Sequence, residues 1–166
     1  MNVNATNVKE TNTMIPSEHE IVVYDTMAKS AVQSKFYNDL GNQTALITLM
    51  LSAREMGIGP MAAINGGLHI IQGKVQISAR MMNALIRRAG HSLQTLESTE
   101  EKCVIKGKRK DNGDEETVNF SLEDAKKANL VKSGGGWSKY AVDMLYARAL
   151  SRLARRLFPD VIGMAS

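Results

Sequence analysis

The sequence predicts an α+β domain, a small antiparallel sheet of hairpins backed by helices, and three observations carry that expectation. Residues 68–77 and 102–120 each place apolar and polar residues in alternation on either side of a turn, Gln72-Gly73-Lys74 in one and Asn112-Gly113 in the other. Strands joined by such turns form hairpins. Other stretches repeat apolar residues every three or four positions, the period of a helix with one buried face. The two kinds of element also come in blocks rather than in strict alternation, which favours antiparallel pairing over a wound parallel sheet.

The 166 residues, 43% hydrophobic and 23% charged, supply one core and are too apolar for a disordered chain. No run approaches the roughly 18 consecutive apolar residues of a membrane helix. The first twenty residues lack the apolar stretch of a secretory signal, so a cytoplasmic location is expected. The single cysteine, Cys103, excludes an intrachain disulfide and a cysteine zinc cage.

Residues 1–17 are polar and aperiodic and are expected to be a flexible tail before one domain over 18–166. Residues 21–36 are expected to be helical. A clearer helix spans 43–56, where Leu46, Leu49, Met50 and Ala53 share a face and Gly57 ends the run. Gly59-Pro60 turns the chain, and a further helical turn over 61–65 is expected to break at Gly66-Gly67. After the first hairpin, Ser78 can cap a helix over 79–89 closed by Gly90. Residues 92–98 alternate as a strand, the second hairpin follows, and Ser121 with Asp124 forms a capping-box pattern ahead of a short helix to 129. Ser133-Gly134-Gly135-Gly136 is a loop, and a last helix runs from about 139 to 158, where Pro159 stops it.

Charge is segregated. Lys and Arg outnumber Asp and Glu only 21 to 17, yet between Gly73 and Lys110 nine cations face only Glu97, Glu100 and Glu101. The last helix carries Lys139, Arg148, Arg152, Arg155 and Arg156 against Asp143 alone. At about 100° per residue, Val142, Leu145, Tyr146, Ala149, Leu153 and Leu157 make one apolar stripe, with the arginines on its flank. A line of guanidinium groups suits a phosphate backbone, because each makes paired, charge-assisted contacts. A solvated basic face on a core helix is the competing reading of that helix alone. The apolar stripe has no tryptophan, which argues against a membrane surface.

Trp137 follows three glycines and precedes Lys139 and Tyr140, so it is either a core anchor or a ring that stacks on a base. His69 and His91 lack acidic partners at ligand spacing, and Cys103 lacks an activating neighbour. The triple glycine has no P-loop lysine. No catalytic, metal or cofactor constellation emerges, and the chain is expected not to be an enzyme.

Several motifs, taken in order, resemble the RecT family of phage and prophage recombinases. They are MAKS (27–30), GIGPMAAIN (57–65), HIIQGKVQIS (69–78), a helix ending in RRAGH, FSLEDAKKANL (120–130), W-x-K-Y at Trp137, and MLYARALSRLARRLFPD (144–160). The resemblance implies the core fold of single-strand annealing proteins. It also implies binding of single-stranded DNA and ATP-independent annealing through a duplex intermediate, inside a bacterial or phage-infected cell. Assembly into a ring or helical filament, beside a phage 5′-to-3′ exonuclease, follows from the same resemblance. Family members continue past the F-P-D segment, so that C-terminal region is expected to be missing from a chain ending at Ser166.

The expected phosphate contacts are Lys74, Arg80, Arg87, Lys106 and Lys108, with Lys139, Arg148, Arg152 and Arg155 at the last helix. Trp137 and Tyr140 are the candidates for base contact. A binding or structural module that does not anneal is the alternative, and a nuclease is disfavoured by the lack of clustered acids. The expectation common to these sites is that two cationic segments, distant in sequence, meet in one trough.

Overall fold

The computed structural model describes residues 15–163, so the expected tail lies outside the described residues except for its last three. Ser17 caps α1 (Glu18–Ser34): its hydroxyl accepts from the Glu20 amide, and the Glu20 carboxylate accepts from the Ser17 amide. That reciprocal pair satisfies two amides that a helix start would leave bare. A short 3-10 turn, Asn38–Leu40, leads to α2 (Gln43–Glu55), capped by Asn42. Ala28 and Ala31 of α1 are buried with Leu46, Leu49, Met50 and Ala53 of α2.

Pro60 opens α3 (Pro60–Ala62), which runs on as a π turn, Ala63–Gly67. Asn65 and Gly66 leave helical geometry there, Gly66 at a φ of 84°, so the helical turn breaks at the glycines as expected. Strands β1 (Leu68–Ile71) and β2 (Lys74–Ile77) pair antiparallel with Ile71 opposite Lys74. Gln72 and Gly73 both have positive φ, 52° and 73°, as a two-residue hairpin turn with the strands' twist requires. Ser78 caps α4 (Ala79–Arg88) by accepting from the Met81 amide.

The second sheet has the order β3-β4-β5, all antiparallel: β3 (Ser92–Ser98), β4 (Lys102–Lys108) and β5 (Glu115–Ser121). The Ser121–Asp124 box forms with aspartate in place of glutamate and opens α5 (Leu122–Lys127). Then come α6 (Gly136–Lys139) and α7 (Ala141–Leu157).

The fold is α+β, and its antiparallel strands divide into two sheets where one was expected. Each sheet serves its own core. The β1–β2 hairpin contributes the fully buried Leu68 to a core with α1 and α2. The three-stranded sheet packs Cys103, Ile105, Val118 and Phe120 against Leu145, Ala149, Leu150 and Leu153 of α7. Helix α4 belongs to both, giving Leu85 to the first core and Met82 and Ile86 to the second. Gly107 brings α7 close to the sheet: a β-carbon there would lie 2.9 Å from a Leu157 methyl and 3.0 Å from the Phe158 ring.

Two expectations about the last helix are corrected. Tyr140 (φ −135°, ψ 44°) separates α6 from α7, so Lys139 is not on the long helix. Trp137, on α6, is buried beside Phe120, ring centroids 6.5 Å apart. The buried stripe of α7 is also shifted, because Val142 is 37% exposed while Leu150 and Ala154 are fully buried.

Candidate functional site

Helix α7 turns Leu145, Ala149, Leu150, Leu153 and Ala154 into the second core, which leaves Arg148, Arg152, Arg155 and Arg156 exposed on its outer side. Along the axis the first three are spaced by about 6 Å and then about 4.5 Å. They border a groove of about 590 Å³ between α7 and the β1–β2 hairpin. Ala147 and Ser151 line the groove on the helix side beside the arginines, and Ile71, Gln76 and Ile77 line the hairpin side. A smaller hollow of about 230 Å³ at β5 shares Arg152 and Arg156 with the groove.

The four arginines differ in their partners. Arg148 makes no ion pair among the described residues and is exposed. An Arg152 Nη donates to the Asn119 carbonyl at 3.2 Å, and its guanidinium sits 4.8 Å from the centre of the Phe120 ring. Arg155 donates to Gln76 Oε1 at 3.3 Å. These partners are neutral, so both side chains are oriented and keep their charge. Arg156 instead pairs with Glu116 at 2.6 Å. Lys74 is exposed and stands opposite Ile71 in the hairpin. Residues directly opposite one another share a face, so Lys74 belongs to the side of the hairpin that lines the groove.

Other expected contacts lie elsewhere. Cys103, Ile105 and Gly107 point toward α7, so by strand alternation Lys106 and Lys108 project from the opposite face of the sheet. Both lysines pair with Glu115, at 2.5 Å and 2.8 Å. Hydrogen bonds from Lys106 and then Lys108 lower the Glu115 carboxyl to about 2. The α4 arginines brace loops and strands through carbonyls: Arg80 reaches Asn65 at 3.0 Å, and Arg87 reaches Leu93 at 3.0 Å. Arg87 also holds Asn83, which donates to the Tyr146 hydroxyl of α7 at 2.7 Å. Trp137 is buried against Phe120, the ring that Arg152 also contacts, whereas Tyr140 is 62% exposed where α6 meets α7, beside the exposed Lys139.

The structure therefore brings together Arg148, Arg152, Arg155 and the hairpin face bearing Lys74. It does not bring Lys106 or Lys108 to them. Gln76, Ala147 and Ser151 went unnoticed in the sequence. The last two had a readable signal, since small residues four apart share one face of a helix and here run beside the arginines.

The F-P-D segment has a structural role. Phe158 is fully buried and stacks on His91, centroids 5.1 Å apart. Asp160 pairs with Arg109 at 2.6 Å, and Arg109 also pairs with Asp111 and donates to the Leu157 carbonyl. Those carboxylates hold the Arg109 guanidinium well above its ordinary value, with Asp160 contributing most. Burial pushes the Cys103 thiol up. Among the described residues no three His, Cys, Asp or Glu side chains converge as a metal site, and no helix is long and apolar enough to cross a membrane. No protein-family model matches this chain, and no curated protein matches it.

Proposed function

We propose that this chain binds single-stranded DNA along the α7 groove and anneals complementary strands without nucleotide hydrolysis, in the manner of the RecT-like proteins its motifs resemble. One observation carries the reading: Arg148, Arg152 and Arg155 line a single groove, and none of them is paired with a carboxylate among the described residues. Guanidinium groups take phosphate oxygens through paired N–H donors. A strand held by its phosphates on α7 keeps its base edges available. Hydrogen bonding to a second strand then supplies sequence selection, because backbone contacts carry none. Copies of the chain set side by side, as a ring or helical filament, would make the groove continuous. A 5′-to-3′ exonuclease would supply the exposed strand.

The test mixes complementary oligonucleotides with and without the protein in the absence of nucleotide. Faster duplex formation is the expected result. Binding at low salt without acceleration would overturn annealing and support a second reading, a plain single-strand binder. That reading is favoured by the placement of Lys106 and Lys108 on the far face of the sheet, paired with Glu115, which leaves Arg148, Arg152 and Arg155 as groove cations without a carboxylate partner among the described residues. No binding at low salt would overturn both.

A further inference from the structure

We propose that Gln76 is a positioning residue for Arg155, aiming the guanidinium across the groove at a phosphate without cancelling its charge. The inference rests on the single-strand reading above. Gln76 belongs to β2 and lines the groove opposite α7, and its Oε1 accepts from Arg155 at 3.3 Å, across 79 residues of sequence. The hairpin is built on the first core and α7 on the second, so this hydrogen bond ties the two walls together.

The partner chosen for Arg155 is unlike those of nearby cations. Arg156 is matched by Glu116, Lys106 and Lys108 by Glu115, and Arg109 by Asp111 and Asp160. A carboxylate at position 76 would hold Arg155 equally well and would neutralise it. The amide accepts one of the five N–H groups and leaves the others, with the full charge, for a phosphate. Arginine is rich in rotamers, and holding it in place beforehand reduces the ordering that binding would otherwise require.

The experiment measures binding of a fluorescein-labelled oligothymidylate by anisotropy over a salt series, using the full chain. Gln76→Ala is expected to weaken binding about two- to tenfold with the salt slope unchanged, the loss of one pre-ordered side chain. Gln76→Glu is expected to lower the slope by about 0.7, the value for one phosphate contact on a single strand, and so to match Arg155→Ala. Gln76→Ala combined with Arg155→Ala should bind no more weakly than Arg155→Ala alone, because the two residues act as a unit. Additive losses, or a Gln76→Glu protein with wild-type affinity and slope, would overturn the assignment. Gln76→Glu keeps the side chain's length and decides the matter if Gln76→Ala disturbs the hairpin. Wild-type protein that fails to bind at low salt overturns the groove reading itself, a result distinct from wild-type binding that ignores residue 76.

Discussion

Replacing Arg148 and Arg152 by alanine together gives the sharpest test of the groove. Both line it, and neither is neutralised by a carboxylate among the described residues, so each counts as one potential phosphate contact. Two lost contacts reduce the single-strand salt slope by about 1.4. If wild-type and variant affinities converge at about 1 M salt, that slope difference makes the defect about 60-fold at 50 mM and about tenfold at 200 mM. The salt dependence is what identifies a lost ionic contact, since a local loss of shape would weaken binding by a similar factor at every salt concentration. The cost to folding is small. Arg148 is exposed, and Arg152 loses an exposed hydrogen bond to the Asn119 carbonyl and a cation–π contact of about 0.5–1 kcal/mol with Phe120, lowering Tm by about 2–4 °C for each kcal/mol lost in a chain of this size. Anisotropy across a salt series and a thermal melt on one preparation provide the assay. A large drop in Tm with unchanged affinity and slope would refute the reasoning and make both arginines structural.

Further outcomes follow from other parts of the fold. Glu20, hydrogen-bonded by Arg54 and capping Ser17, and Glu115, held by Lys106 and Lys108, both have carboxyls lowered to about 2 from an ordinary 4.5. A depressed carboxyl contributes stability that is present above its unfolded value and lost as pH falls through the folded one. Stability should therefore decline between about pH 4.5 and 2, and Glu20→Gln with Glu115→Gln should flatten a series of urea melts across that window. An unchanged decline would place the acid sensitivity elsewhere. Gly107→Ala puts a methyl within 2.9–3.1 Å of Leu157, Phe158 and Leu153 side chains and should cost about 1–3 kcal/mol, read as a lower Tm. An unchanged melt would mean that α7 can lift from the sheet without penalty.

Elements were legible where their signals were local. The apolar spacing of Leu46, Leu49, Met50 and Ala53, the Ser78 cap and the Ser121–Asp124 box each lie within one or two turns of chain, and all formed as expected. Register was harder. A two-residue turn on Asn112-Gly113 would put Lys110 opposite Glu115. The chain instead leaves six residues between the paired strand ends, the Arg109 backbone N–H donates to the Asp114 carbonyl at 2.8 Å, and Lys108 faces Glu115. That difference of two residues decides which lysines are neutralised, and Arg109, the first residue of the loop, pairs with Asp160 just past the end of α7.

By itself the sequence determined the α+β class, the positions of most helices and strands, and the clustering of four arginines on one flank of the last helix, because these follow from near-neighbour periodicity and caps. Only tertiary structure decided that the strands form two sheets on two cores, that Lys106 and Lys108 lie on the far side of one of them, and that the hairpin supplies a neutral amide opposite Arg155. Those outcomes join residues far apart in the chain. The energies that select them, burial of two separate apolar faces and the pairing of charges across them, exist only once the elements have packed.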